Sequence, residues 1–182
     1  AADRYDLLTT AVHELAHAYF RQNIYRYAEE NGLKLDWDRA EGFIYLSPTE
    51  HYFVSVPEAL LFPSRRLSSV IPQHLRTYRY DTYIEGNTST QSEGVVGLLN
   101  ELHAYYLGSK YNFDMLDAFQ NAEASDAKGL LAWVRNSSSS MTAYWEFDYF
   151  IREYLLYMKE HAPGDYAALK SNSNLRKAYA SV

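Results

Sequence analysis

Two histidines and a glutamate near the N-terminus have the spacing of a metal-binding helix. In the stretch AVHELAHAYF, residues 11–20, His13 and His17 lie four positions apart and Glu14 directly follows the first histidine. Helical side chains four residues apart share one face, so both imidazoles can direct a ring nitrogen at one ion. Glu14 is turned by about 100° around the helix axis, beside such an ion, where it can accept a proton from water. The H-E-x-x-H pattern therefore predicts a metal-dependent hydrolytic site with Glu14 as general base.

A catalytic zinc ion takes three protein ligands and leaves a fourth position for water, so one more donor is required. The chain has no cysteine, which restricts the donors to nitrogen and oxygen. We predict Glu101, in the segment SEGVVGLLNELHAYYLG, as this third ligand. On a helical wheel it is surrounded by small residues, and interior glycines are costly unless another helix approaches closely. The small residues are Gly94, Gly97, Ala104 and Gly108. We therefore expect the helix of His13 and His17 to pack against this face.

Two other residues of the same segment are alternative ligands. His103 points to the bulky apolar side of the helix, so core packing or a supporting hydrogen bond is the favoured role for it. If Glu101 is not the ligand, Glu93 or His103 takes its place. Zinc is inferred from the ligand types, and manganese or cobalt could use the same donors.

A tyrosine is expected to stabilise the oxyanion that develops during hydrolysis. Tyr105, about 40° from Glu101 on the wheel, is the predicted donor, ahead of Tyr106 and Tyr83. Tyrosine is also abundant, with 18 copies in 182 residues, and it commonly lines polar clefts. This composition supports an alternative function, a non-catalytic module that binds a peptide or glycan and keeps a structural or vestigial metal site.

The elements that must position these residues form a mainly helical α+β domain with a small antiparallel sheet. A long helix is predicted over residues 3–31, ending at Asn31-Gly32. Two β-rich runs at 43–46 and 52–56 flank a Ser-Pro-Thr-Glu turn and predict a hairpin. The alternating stretch RTYRYDTYI predicts a third strand at 76–84. The strand at 52–56 is a candidate for pairing with an extended peptide, and an ordinary covered strand is at least as good an interpretation of it.

Helices are predicted again in the second half of the chain. One runs from about Ser92 to Leu107 with Gly108 as its stop, and another covers 113–134 with a break near Ser125. The serine run 137–140 is expected to cap an aromatic-rich helix at 141–160. A short helical tail follows Pro163-Gly164.

Composition restricts the classes of function. The 182 residues, 47% of them hydrophobic, can bury one substantial core, so we predict a single domain over 1–182. A net charge of -6 argues against a broad nucleic-acid-binding surface. No apolar run approaches the roughly 20 residues of a membrane-spanning helix, and the N-terminus lacks signal-peptide features. We expect a soluble mature chain, and an extracytoplasmic or secreted location if a leader was removed.

The stretch VHELAH, followed downstream by a helix containing NELHAYY, resembles the zincin metallopeptidases. It is most similar to the gluzincin branch, in which a glutamate of a later helix is the third ligand. The stretch AYFRQN after His17 lacks the glycine and third histidine of the metzincin branch. The resemblance implies one zinc ion held by His13, His17 and Glu101, Glu14 as base, and a peptide or protein substrate. Gluzincin strands usually precede the motif helix, whereas those predicted here follow it, which implies a chain trimmed at its N-terminus or a compact variant.

Overall fold

The computed structural model describes residues 2–122 and 128–182, which form a mainly helical α+β arrangement with one hairpin. Its helices are α1 (Ala2–Glu30), α2 (Tyr78–Tyr80), α3 (Ser89–Ser92), α4 (Gly94–Asp114), α5 (Leu116–Ala122), α6 (Lys128–His161), α7 (Pro163–Ser171) and α8 (Ser173–Ser181). The strands are β1 (Arg39–Ser47) and β2 (Glu50–Pro57), and a wide helical turn (Asp81–Glu85) follows α2. Within the described ranges, no helix combines the length and the apolar character needed to span a bilayer.

The first helix and the hairpin confirm the sequence prediction. Helix α1 ends at Glu30, and Gly32 reverses the chain with a φ of 62°, a conformation that favours glycine. Strands β1 and β2 pair antiparallel, with Phe43 opposite Phe53. Their inward side chains, including the fully buried Val54, join the main core.

The outer edge of β2 is covered by the C-terminal helices. The side-chain amide of Asn172 donates a hydrogen bond to the Ser55 carbonyl at 3.0 Å, and that of Asn174 donates to the Phe53 carbonyl at 2.9 Å. These carbonyls are therefore already paired, and the expected pairing of this strand with an extended peptide is wrong.

The predicted strand at 76–84 is also wrong, because this segment is helical. Thr77 starts α2, where its hydroxyl accepts hydrogen bonds from the backbone amides of Arg79 and Tyr80. Arg79 is buried and forms an ion pair with Glu146 of α6 at 2.8 Å. The alternation of side chains predicted a strand, whereas capping and tertiary pairing select the helix.

The boundaries of the two long central helices differ from the prediction. Helix α4 continues through Gly108 to Asp114, so Gly108 is not its stop; a Cβ there would lie 3.9 Å from Ser140 Oγ, an ordinary contact distance, so packing against α6 does not require glycine at this position. Helix α6 runs unbroken through the serine run, where Ser137 and Ser140 are buried, so the predicted cap is wrong. The predicted break near Ser125 lies outside the described residues. The helical tail after residue 163 is confirmed as α7 and α8.

Two apolar clusters hold these elements together. The larger one joins the hairpin, α4, α6 and the C-terminal helices. The smaller one connects α1 to α4 and β1 through Ala16, Phe20, Phe43 and Ala104. Because Ala16 and Ala104 are small, α1 and α4 approach closely at the level of His13, His17 and Glu101.

Candidate metal centre

His13, His17 and Glu101 converge on one point between α1 and α4. The two Nε2 atoms are 3.1 Å apart, and Glu101 Oε2 lies 3.4 Å from His13 Nε2 and 3.5 Å from His17 Nε2. His13 and Glu101 are buried and His17 is half-buried. Within the described residues, these three side chains form the one group of His, Asp and Glu residues whose donor atoms lie close enough together to hold a metal ion. The residues come from positions 84 apart in sequence (101 − 17), so the fold itself brings them together.

The donor atoms fit a small tetrahedral cation. Zinc bonds to nitrogen and oxygen are about 2.0–2.1 Å long, which sets two tetrahedral ligands about 3.3 Å apart. The three observed separations of 3.1, 3.4 and 3.5 Å bracket this value. Glu101 Oε2 is buried without a hydrogen-bond partner in the protein, which is costly unless a cation neutralises it. The donor set of two imidazoles and one carboxylate leaves a fourth position and matches zinc chemistry.

The charges of the centre are coupled. Burial alone would lower the pKa of His17, but the carboxylate of Glu101 outweighs burial and raises it above its usual value. Burial alone would raise the pKa of Glu101, but His13 and His17 hold that pKa below its usual value. The Glu101 carboxylate is therefore ionised at neutral pH and favours a positive charge between the rings.

The glycines beside Glu101 led to the correct prediction that this face of α4 packs against α1. The reason was partly wrong, because two of these glycines contact other elements. A Cβ on Gly94 would lie 2.5 Å from Tyr154 Oη of α6, and one on Gly97 would lie 2.1 Å from the Thr90 carbonyl oxygen. These two glycines make room for α6 and α3, not for α1. The close approach of α1 depends on Ala104, whose side chain packs in the small cluster with Ala16.

His103 lies in the core, as expected from its position on the wheel. Its ring is fully buried and stacks on Phe20 with ring centres 4.2 Å apart. Nε2 donates a hydrogen bond to the Tyr45 carbonyl at 2.7 Å. Burial lowers the pKa of His103 to about 4, so the ring is neutral at physiological pH. His103 is not a member of the triad, and its ring centre lies 6.4 Å from that of Tyr106.

Two cavities meet at the centre. One, of about 310 Å³, reaches toward α6, and the other, of about 650 Å³, runs along α1 past β1. His13, Glu14 and Tyr83 line both of them. Glu14 is exposed, with its side chain at the junction, so solvent and a ligand in either cavity can reach its carboxylate.

The predicted Tyr105 lies directly beside the centre. Its ring centre is 4.4 Å from that of His13 and 5.4 Å from that of Phe147, and its hydroxyl accepts a long hydrogen bond of 3.5 Å from Arg79 Nε. Tyr83, the third choice from sequence, stands at the junction itself. Burial, followed by the nearby carboxylate of Glu101, raises the pKa of Tyr83 well above its usual value, so its hydroxyl keeps its proton.

Sequence reasoning missed the surroundings of the centre. Tyr83 is placed by the wide turn Asp81–Glu85, and Arg79 anchors the preceding turn to α6. Asn100 lies next to Glu101, and its side chain contributes to the raised pKa of His17. The threonine at position 77, a residue type favoured at a helix N-cap, was the sequence signal that could have identified this segment as helical.

Comparisons of the chain with protein-family models, with curated proteins and with solved structures gave no match. A possible metal site therefore rests on the geometry and chemistry of His13, His17 and Glu101 alone.

Proposed function

We propose that this chain is a zinc-dependent peptidase of a gluzincin-like type, in which His13, His17 and Glu101 hold one ion. The observation that carries the proposal is the convergence of these three side chains beside the accessible carboxylate of Glu14. When bound, zinc would lower the pKa of a water molecule to near 7 and polarise a substrate carbonyl. The hairpin is the only sheet within the described ranges. The peptidase proposal therefore rests on the three side chains and Glu14, and not on a larger zincin-like sheet.

Glu14 is the proposed general base and acid. It takes a proton from the attacking water, whose oxygen forms a bond to the carbonyl carbon of the peptide. The carbon–nitrogen bond then breaks, and Glu14 gives its proton to the leaving amine. Its exposed position between the two cavities is suited to this transfer, because substrate can approach from both sides.

Tyr83 is the proposed donor to the developing oxyanion. Its hydroxyl is protonated, the residue lines both cavities, and its backbone belongs to a helical turn rather than to a loop. Tyr105 is the second candidate, and its packing against the His13 ring also fixes that ligand in place. The larger cavity is lined by β1 residues Glu41–Phe43, where an extended peptide would lie.

Replacing Glu14 by glutamine tests the proposal. Zinc content should stay at the wild-type level because Glu14 is not a ligand, whereas kcat on a fluorogenic peptide library should fall by at least about a hundredfold. Glu29→Gln, an exposed change on the same helix, is the matched control and should retain activity. Unchanged hydrolysis in Glu14→Gln would contradict the role of Glu14.

The same experiment distinguishes the alternative function. A wild-type protein that binds zinc stoichiometrically and hydrolyses no member of a broad peptide library would favour a non-catalytic binding module. Glu14→Gln would then leave ligand affinity unchanged.

A further inference from the structure

A small apolar cavity lies where the C-terminal helices pack on the core. It is bordered by α4, α6, α7 and α8. Its wall contains the buried aliphatic side chains of Val95, Leu99, Ile151, Leu169 and Leu175, and we call it the aliphatic pocket. It shares no lining residue with the two cavities that meet at the metal centre, so it is a separate site.

The aliphatic pocket has room for a short hydrocarbon chain. Its volume is about 90 Å³. A cavity of about 150 Å³ with similar aliphatic walls binds benzene, so the smaller volume fits a chain of about four or five carbon atoms rather than a ring. Side chains that border a cavity lack partner atoms on that side. An aliphatic ligand therefore gains packing contacts there in addition to leaving water.

The exposed edge of the pocket carries two cations. Lys170 and Arg176 are the exposed members of the lining, and the other members are buried or half-buried. None of the described residues that line the pocket is an aspartate or a glutamate. Within the described ranges, the side chains of Lys170 and Arg176 have no hydrogen-bond or ion-pair partner. A chain that fills the pocket would bring its polar end to these two groups.

Asp148 contacts one residue of the lining, but its charge is already balanced. Its Oδ1 atom accepts a hydrogen bond from the Tyr179 hydroxyl at 2.5 Å, and its Oδ2 atom pairs with Arg152 Nε at 2.7 Å. Asp148 therefore does not act as the counter-ion of Lys170 or Arg176.

A fixed turn sets the positions of the two cations. Lys170 lies in the last turn of α7 and Arg176 in the first turn of α8, on either side of Asn172. Asn172 Oδ1 accepts a hydrogen bond from the Leu175 amide at 3.0 Å, and Nδ2 donates to the Ser55 carbonyl at 3.0 Å. The backbone at the mouth of the pocket is thus anchored to β2, which reduces the entropy lost when a ligand binds.

We propose that the aliphatic pocket binds a short-chain aliphatic carboxylate, with its tail among the four helices and its carboxylate beside Lys170 and Arg176. The two cations without a counter-ion favour an anionic head group, because ammonium and guanidinium groups form charge-assisted hydrogen bonds with carboxylates. The volume and the aliphatic wall favour the tail. The site does not depend on the metal centre, so its failure would leave the proposed peptidase function unaffected.

A series of acids of increasing length tests the size of the site. The methyl signals of Val95, Leu99 and Ile151 are followed by NMR while wild type is titrated with butanoate, pentanoate, hexanoate, octanoate or decanoate. Each methylene that enters the pocket should tighten binding about fourfold. The affinity should level off near hexanoate, with a Kd on the order of 1 mM. An affinity that keeps rising to decanoate, or unchanged signals at about 10 mM hexanoate, would overturn the proposal.

A neutral analogue and a charge variant test the head group. Hexanoate should bind wild type about fivefold more tightly than hexanamide, because each exposed ion pair contributes modestly. Lys170→Gln combined with Arg176→Gln should bind both compounds equally. Lys177→Gln, at an exposed cation outside the pocket, is the matched control and should keep the preference. All three positions are exposed, so these changes should leave the fold intact.

Two results on the head group would contradict the site. These are equal affinities of wild type for hexanoate and hexanamide, and a preference for hexanoate that survives in the double variant. Acetyl-Gly-Leu with a free carboxylate presents a similar tail and charge at the end of a peptide. If it binds more tightly than hexanoate, the occupant is a peptide C-terminus and the free acid is excluded.

Discussion

His103 has a different environment from Glu101, although only one residue separates them on α4. Glu101 faces two imidazoles, whereas His103 faces the Phe20 ring and a backbone carbonyl. Since no carboxylate compensates for burial, desolvation lowers the pKa of His103 to about 4, while Glu101 raises that of His17. Residues of one type thus titrate in opposite directions according to their partners.

The lowered pKa of His103 predicts a loss of stability in acid. The pKa of an unfolded histidine is about 6.5, so between pH 6.5 and 4 the unfolded chain binds a proton that the folded chain does not. The stabilisation is complete above about pH 6.5 and is lost as pH falls toward 4, by about 3 kcal/mol in the free energy of unfolding.

Denaturant unfolding of the metal-free protein at pH 7.5 and pH 4.5 measures this loss. His103→Gln, whose amide can still donate to the Tyr45 carbonyl, should show a smaller acid loss than wild type. His74→Gln, at an exposed position, should behave as wild type. Identical acid losses in wild type and His103→Gln would show that His103 is not buried in its neutral form.

Among single residues, the sequence was sufficient to predict those that lie within a few positions of one another on one helix. His13, Glu14 and His17 follow from helical geometry, and Glu101 was selected by its wheel position. Tyr83 was only the third choice from sequence and Arg79 was not selected, since their positions depend on the turn after α2 and on the pairing with Glu146.

Among the elements, the start of α4 depends most on a single residue. Gly94 has a φ of 56° at the break between α3 and α4, and it packs beside the Tyr154 hydroxyl. That hydroxyl accepts a hydrogen bond from the Phe62 amide at 2.8 Å and donates to the Phe62 carbonyl at 2.9 Å, so it has little freedom to move.

Three glycine-to-alanine changes separate the two costs of a side chain at Gly94, which are the strain of a positive φ and the steric overlap with neighbouring atoms. Gly164→Ala, with open space and ordinary backbone, should be neutral or stabilising. Gly32→Ala has open space but positive φ and should cost about 1 kcal/mol. Gly94→Ala has both positive φ and steric overlap, and should cost about 3 kcal/mol in the free energy of unfolding. A cost no greater than that of Gly32→Ala would contradict the tight packing described here.

Prediction of the elements succeeded where the pattern was long or the turn was local. The 3–31 helix and the hairpin follow from periodicity and turn residues. The 76–84 strand and the serine cap failed because tertiary contacts decide both: Arg79 is drawn to α6, and small serines let α6 pack against α4.

For the whole molecule, the centre connects two distant parts of the chain. Helix α1 packs against α4 and β1 through the small apolar cluster around Phe20 and Ala104. A cation shared by α1 and α4 would add a second connection, whose free energy of binding contributes to folding. The helical wheel predicted which face of α4 meets α1, but no local pattern predicts the path between them, because the 83 intervening positions include the hairpin and the turn that complete the cleft.

Metal content after dialysis tests the central claim most directly. We compare wild type with Glu101→Gln and with Glu93→Gln, a nearby half-buried carboxylate outside the triad, and verify folding by circular dichroism. Wild type and Glu93→Gln should retain about one zinc ion per chain, and Glu101→Gln should bind zinc at least about a hundredfold more weakly. A wild-type protein without affinity for divalent cations, or undiminished zinc in Glu101→Gln, would contradict a metal centre formed by His13, His17 and Glu101.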